Sequence, residues 1–183
     1  MHRPEWVCLV CSHRLPIAAI EERVRTMQAE LDVALRARSR SGLARARELL
    51  EAFINRHDGV LLHHAHICVV NALIPLMNVC TAQGDWAANL EYTRRVISAF
   101  DLVYPPNYGE TADFLFAATE SATRLIEIAA ASATQQSEVK RLESERADLM
   151  RRCHSIRQTC CGSAHALTKQ TRAAAAVIGV DLA

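Results

Sequence analysis

Apolar residues recur at helical spacing along most of the chain. After Pro16, whose missing N–H is harmless in a first helical turn, apolar side chains follow one another at intervals of three or four positions: Ile20, Val24, Met27, Leu31 and Leu35. This period predicts an amphipathic helix. A second helix is predicted after Ser41-Gly42, and it ends at His57-Asp58-Gly59.

The third predicted helix, over residues 60–82, is apolar on nearly every side. A helix without a polar face belongs in the middle of a helical assembly, so we expect it to be the most buried one. Pro75 lies inside it and is expected to kink the helix or start a new turn, because the proline ring clashes with the carbonyl group four residues earlier.

Four more helices are predicted over residues 86–102, 110–131, 135–159 and 164–178. The stretches between them contain turn-forming residues, at Gly84-Asp85, Pro105-Pro106-Asn107-Tyr108-Gly109 and Cys161-Gly162. No stretch alternates between apolar and polar residues, so no strand is predicted. The fold class is therefore all-α, with about seven helices in antiparallel pairs.

Composition and charge narrow the possible environments and partners. The 183 residues are 50% hydrophobic and 22% charged, which is typical of a globular domain. The net charge of +1 makes a nucleic-acid partner unlikely. The longest apolar run is broken by Asn71, Pro75 and Asn78, so no membrane span is expected. Seven cysteines and a start without an apolar leader favour reduced thiols in the cytoplasm or nucleus.

One helix pair resembles a tetratricopeptide repeat. The segment from Gln83-Gly84-Asp85-Trp86 to Leu90-Glu91-Tyr92, followed after a helix by Pro105-Pro106-Asn107, is similar to the second half of that repeat. Asn89 stands where the repeat prefers alanine. The resemblance implies that residues 16–183 form a short array of stacked helix pairs. Residues 1–15 show no helical period and are interpreted as a separate segment, poorly structured alone.

The order of three motifs resembles the C-terminal region of the SET- and MYND-domain lysine methyltransferases. Trp6-Val7-Cys8-Leu9-Val10-Cys11 resembles their post-SET cysteine cluster. Gly84-Asp85-Trp86 through Tyr104-Pro105-Pro106-Asn107 resembles their central repeat. Cys161-Gly162-Ser163-Ala164-His165-Ala166-Leu167 resembles the start of their last helix. The resemblance covers about 170 residues.

This resemblance implies a helical domain that forms one wall of a substrate cleft and a docking surface for a protein or peptide. The chain contains no segment that matches the catalytic SET core, so we expect no enzymatic activity and no cofactor in this chain alone. Zinc and S-adenosylmethionine are implied only for a longer protein that includes that core. The alternative is an independent tetratricopeptide-like scaffold. The oligomeric state is left open, with a monomer as the simpler expectation.

Two candidate sites follow. Cys8 and Cys11 have the spacing of two zinc ligands, and the resemblance implies that a SET core would complete that site; in this chain alone they are interpreted as two reduced thiols. The second candidate is a cluster of arginines without an acid among them, which could meet an acidic peptide: Arg36, Arg38, Arg40, Arg45 and Arg47. Because arginine outnumbers lysine 19 to 2, the cluster could also reflect composition alone.

Three further patterns have simpler structural explanations. The histidines of His63-His64-x-His66 are expected to cap, pack or face water rather than bind a metal. Cys160-Cys161 is expected to be a helix-end pair rather than a nucleophile. The apolar heptad positions of the sixth helix favour a bundle helix over a coiled-coil dimer, although the latter is possible: Val139, Leu142, Leu149, Cys153 and Ile156.

Overall fold

The computed structural model describes residues 5–7, 14–40, 42–59, 62–130 and 136–182, with the backbone alone at residues 6, 7 and 38–40. Seven helices follow one another in this part of the chain: α1 (Ile17–Arg40), α2 (Leu43–His57), α3 (Ile67–Gln83), α4 (Trp86–Val103), α5 (Gly109–Ala130), α6 (Gln136–Cys161) and α7 (Ala166–Val177). Each helix packs mainly against its neighbours in sequence, and α1 also contacts α3.

This pattern is that of a linear array in which short turns make successive helices antiparallel. The predicted all-α fold, with antiparallel helix pairs stacked into a short tetratricopeptide-like array, is confirmed. None of the described helices is long and apolar enough to span a bilayer.

A short hairpin precedes the helices. Strand β1 (Glu5–Val7) pairs antiparallel with β2 (Arg14–Pro16), so that Glu5 lies opposite Pro16 and Val7 opposite Arg14. An ion pair of 3.5 Å joins Arg14 Nη1 to Glu5 Oε2. The prediction that the chain has no strand was therefore wrong. Three residues are too few for an alternating pattern to be visible in the sequence.

Helix α3 begins at Ile67 and not at residue 60, which corrects the predicted boundary. His66 has an extended backbone and caps the helix, because its Nδ1 accepts a hydrogen bond of 3.2 Å from the Cys68 N–H. Leu62 and Ala65 precede this cap and still pack against the core. The apolar residues therefore extend on both sides of the start of α3, and the position of that start is set by the capping residue His66.

Helix α3 has the largest share of buried residues among the described helices, as predicted. The helix continues through Pro75. It lies at the centre of the first hydrophobic cluster, which α1, α2, α3 and α4 form, with Leu31, Phe53 and Leu73 fully buried. Burial of each such side chain contributes about 1.5–3 kcal/mol.

A second hydrophobic cluster joins α4, α5 and α6, with Leu90, Leu115 and Cys153 at its centre. Helix α4 contributes to both clusters, with Val96 in the first and Leu90 in the second. Four of the five apolar heptad positions of α6 belong to or pack against this second cluster, as expected of a bundle helix: Leu142, Leu149, Cys153 and Ile156. No described residue of α7 belongs to either cluster.

Candidate binding groove between α4 and α6

Two ion pairs with reversed charges connect α4 to α6. Near the middle of α4, the Arg94 guanidinium donates to both carboxylate oxygens of Glu145 on α6, at 2.7 and 2.6 Å. Seven residues further along each helix, Arg152 of α6 donates to both carboxylate oxygens of Asp101 on α4. Two-pronged arginine–carboxylate pairs of this kind fix geometry as well as charge.

A groove with a volume of about 750 Å³ lies beside these pairs. The half-buried Leu149 of α6 gives it an apolar side, above the fully buried Leu115 of α5, and Ser144 is exposed along it. Its charged lining carries both signs: Arg94, Arg141, Arg152, Glu145 and Asp148. The arrangement offers apolar contact at the bottom and hydrogen-bonding groups at the rim.

The charges of the groove are fixed by their neighbours. The hydrogen bond to Glu145 raises the pKa of the Arg94 guanidinium above its usual range. Arg141 donates to Glu138 at 2.6 Å and holds the pKa of that carboxyl below its usual range. Arg94 and Glu138 therefore keep their charges at ordinary pH.

This groove is not predicted by the local pattern of the sequence. Its charged residues come from helices about 50 positions apart, since Arg94 and Glu145 are separated by 51 residues. One signal was present: an arginine and an acid seven residues apart on α4, and an acid and an arginine seven residues apart on α6. Seven residues are two helical turns, so each pair lies on one face of its helix.

The predicted arginine cluster spans α1 and α2. Arg36 is exposed on α1, and the side chains of Arg38 and Arg40 lie outside the described residues. Arg45 pairs with Glu48, one turn away on the exposed side of α2, at 2.8 Å. A role of this cluster in docking a partner stays a prediction.

Arg47 connects α2 to the turn between α3 and α4. Its guanidinium donates to Glu51 at 2.8 Å and to Gln83 at 3.0 Å, and it pairs with Asp85 at 2.8 Å. The hydrogen bonds to Glu51 and then Asp85 raise the pKa of Arg47 above its usual range. The Tyr92 hydroxyl also donates to Glu51, at 3.0 Å. Arg47 is thus paired with Glu51 of its own helix and with Asp85, which folding brings from the turn before α4.

The two proposed zinc ligands, Cys8 and Cys11, lie outside the described residues, and the zinc site stays a prediction. Within the described part of the chain, no three His, Cys, Asp or Glu side chains are grouped as metal ligands would be.

The remaining histidine and cysteine motifs have structural roles. His66 caps α3, and His63 Nδ1 accepts a hydrogen bond of 3.2 Å from the Ala65 N–H, while the rings of His63 and His64 lie 3.9 Å apart. Cys160 is exposed at the end of α6 and donates to the Asn107 carbonyl at 2.8 Å. The interpretation of these residues as capping and helix-end groups is confirmed for His66 and Cys160.

No protein-family model and no curated protein matches the chain. Among solved structures, two of a putative kinesin light chain of Podosopora anserina with nearly identical TPR-like repeats are similar to it, one of them a variant of that protein. Each is 16% identical to the chain and has a TM-score of 0.41. The alignments cover 84% of this chain, and 84% and 85% of the other two chains.

Proposed function

We propose that the protein is a helical scaffold that binds a segment of another protein in the groove between α4 and α6. The groove itself carries the proposal, because it combines a volume of about 750 Å³ with an apolar side and charged groups that are held in ion pairs. Stacked helix pairs commonly provide extended surfaces for peptide binding. No catalytic role is proposed for this chain.

A substitution that fills the groove tests this proposal. Peptides would be selected by display on the intact chain, and their affinities measured by calorimetry. Ser144→Trp places a large ring in the groove without removing a charged group or a core residue. We expect it to weaken the selected peptides at least about tenfold, a loss of about 1.4 kcal/mol.

Ser155→Trp is the matched control, because Ser155 is also exposed on α6 and does not line the groove. The affinity of Ser155→Trp for the selected peptides should equal that of the original chain. Selection of no binding peptide at all, or of peptides whose affinity is unchanged by Ser144→Trp, would contradict the proposed site.

The relation to SET- and MYND-domain methyltransferases remains a hypothesis supported by the three sequence motifs alone. Under it, the array would be one wall of a substrate cleft, and Cys8 and Cys11 would bind zinc together with residues of a SET core. The genomic reading frame decides this point. An upstream SET core ending in cysteines just before His2 would support the hypothesis, and the lack of one would leave the independent scaffold.

A further inference from the structure

Helix α7 is attached differently from the other helices. Its buried residues are Thr168, Thr171 and Ala175, and none of them belongs to a hydrophobic cluster. Helices in globular proteins are normally held by an apolar face. Polar contacts with α6 therefore form a large part of the attachment of α7, beside the buried Ala175.

A buried arginine makes most of these contacts. The Arg157 side chain on α6 is only 5% exposed, and its Nη1 donates to Thr171 Oγ1 at 2.9 Å and to the Leu167 carbonyl at 3.3 Å. The Thr168 hydroxyl donates back to the Arg157 carbonyl at 3.2 Å. Asp113 of α5 accepts from Arg157 Nη2 at 2.8 Å and holds the guanidinium in place.

A histidine lies one turn earlier on α6 at the same interface. His154 is 8% exposed, and its Nε2 accepts a hydrogen bond of 3.2 Å from Arg172 Nε on α7. An arginine cannot act as an acceptor, so Nε2 must carry a lone pair and the imidazole must be neutral. Protonation would remove this acceptor and place a second positive charge against the guanidinium.

Among the other charged groups in the described part of this interface, no carboxylate contacts the His154 ring to offset the repulsion between a protonated His154 and Arg172. From α5, the Asp113 carboxylate is bound to Arg157. On α6, Arg151 pairs with Asp148 at 2.9 Å and also donates to the Asp181 carbonyl in the segment after α7. On α7, the group in contact with the imidazole is Arg172. Burial, and then the positive charge of Arg172, lower the pKa of His154 below its usual range.

We propose that α7 is a releasable helix and that protonation of His154 on α6 releases it. The neutral imidazole stabilises the docked state above about pH 6.5, the usual value for histidine. That contribution is lost as the pH falls below this value, because the released state binds the proton more tightly. This pH-controlled attachment of α7 is independent of peptide binding in the groove between α4 and α6.

Hydrogen exchange of the intact chain, followed by mass spectrometry at about pH 7.5 and about pH 5.5 and corrected for intrinsic rates, tests the proposal. As the pH is lowered, protection of α7 should fall by at most about tenfold per pH unit, because His154 takes up one proton when α7 is released. Protection of α3 and α4 should stay constant. Constant protection of α7 would overturn the proposal.

His154→Gln keeps an acceptor for Arg172 that does not titrate, so protection of α7 should no longer depend on pH. The matched control is His64→Gln, an exposed histidine on the turn before α3, which should behave like the original chain. A pH dependence that persists in His154→Gln would overturn the proposal. If His154→Gln loses protection of α7 at both pH values, a second variant, Arg172→Gln, tests the proposal instead. Arg172→Gln keeps a hydrogen-bond donor for His154 and removes the positive charge, so the loss of α7 protection at the lower pH should become smaller. A loss of protection equal to that of the original chain would overturn the proposal.

Discussion

Asn89 of α4 is a buried polar residue at the boundary between the two hydrophobic clusters. Its side-chain amide donates to the Met77 carbonyl at 2.7 Å and to Thr81 Oγ1 at 2.8 Å, both on α3. Its carbonyl oxygen accepts from Ser121 Oγ of α5 at 2.7 Å and from Thr93 Oγ1 at 3.3 Å. One side chain thereby satisfies polar groups on three helices.

Replacing this residue by the alanine that tetratricopeptide repeats prefer should destabilise the chain. We expect Asn89→Ala to lower the free energy of unfolding by about 1–3 kcal/mol, because four hydrogen bonds of a buried side chain are lost. Urea denaturation measures the effect. Asn78→Ala, at an exposed position of α3, should change stability by less than about 0.5 kcal/mol. Equal effects of the two substitutions would show that the hydrogen bonds of Asn89 contribute no net stability.

At the scale of the helices, the turn between α3 and α4 requires a left-handed backbone conformation at Gly84. Gly84 ends α3 with φ +71°, and its N–H bonds to the carbonyls of the last helical turn. Asp85 then caps α4 by accepting from the Ala88 N–H at 3.1 Å. A two-residue connection of this kind makes α3 and α4 antiparallel.

Substitution of Gly84 should therefore act through the backbone alone. A Cβ atom at this position would meet no other atom within 4 Å, so Gly84→Ala is expected to cost about 1–2 kcal/mol from the left-handed conformation. Gly109→Ala is the control, because Gly109 lies in the first turn of α5 with similar space and without a positive φ. It should be neutral or slightly stabilising. Thermal unfolding distinguishes the two, and a cost shared by both would exclude the backbone explanation.

Turn-forming residues explain how much of the fold could be predicted from the sequence. Gly84-Asp85, Pro105-Pro106 and Gly162 are local signals, and the helices beside them begin or end within about two residues of the predicted positions. The start of α3 was missed because His66 is an unusual capping residue inside an apolar stretch. The groove was missed because its ion pairs join α4 and α6, and the pairing of distant helices is not encoded in local periodicity.

At the scale of the whole molecule, two successive hydrophobic clusters share α4. In a linear array each helix depends chiefly on its neighbours, so a local defect weakens one end more than the other. Leu31 in the first cluster and Leu115 in the second are both fully buried, which makes them a matched pair.

Leu115→Ala should lower stability by about 2–5 kcal/mol and increase hydrogen exchange more in α5 and α6 than in α1 and α2. Leu31→Ala should lower stability by a similar amount and increase hydrogen exchange more in α1 and α2 than in α5 and α6. Exchange mass spectrometry under native conditions measures both patterns. An equal increase along the whole chain in both variants would mean that the two clusters unfold as one cooperative unit.

The polar attachment of α7 has a thermodynamic consequence. Heat-capacity changes arise mainly from apolar surface that becomes hydrated, and polar surface contributes with the opposite sign. Separation of α7 exposes the hydroxyls of Thr168 and Thr171 and the Arg157 guanidinium beside the apolar Ala175, so its heat-capacity change should be smaller than that of either cluster. The free energy of this local opening should then vary with temperature along a flatter curve than the stability of the two apolar clusters.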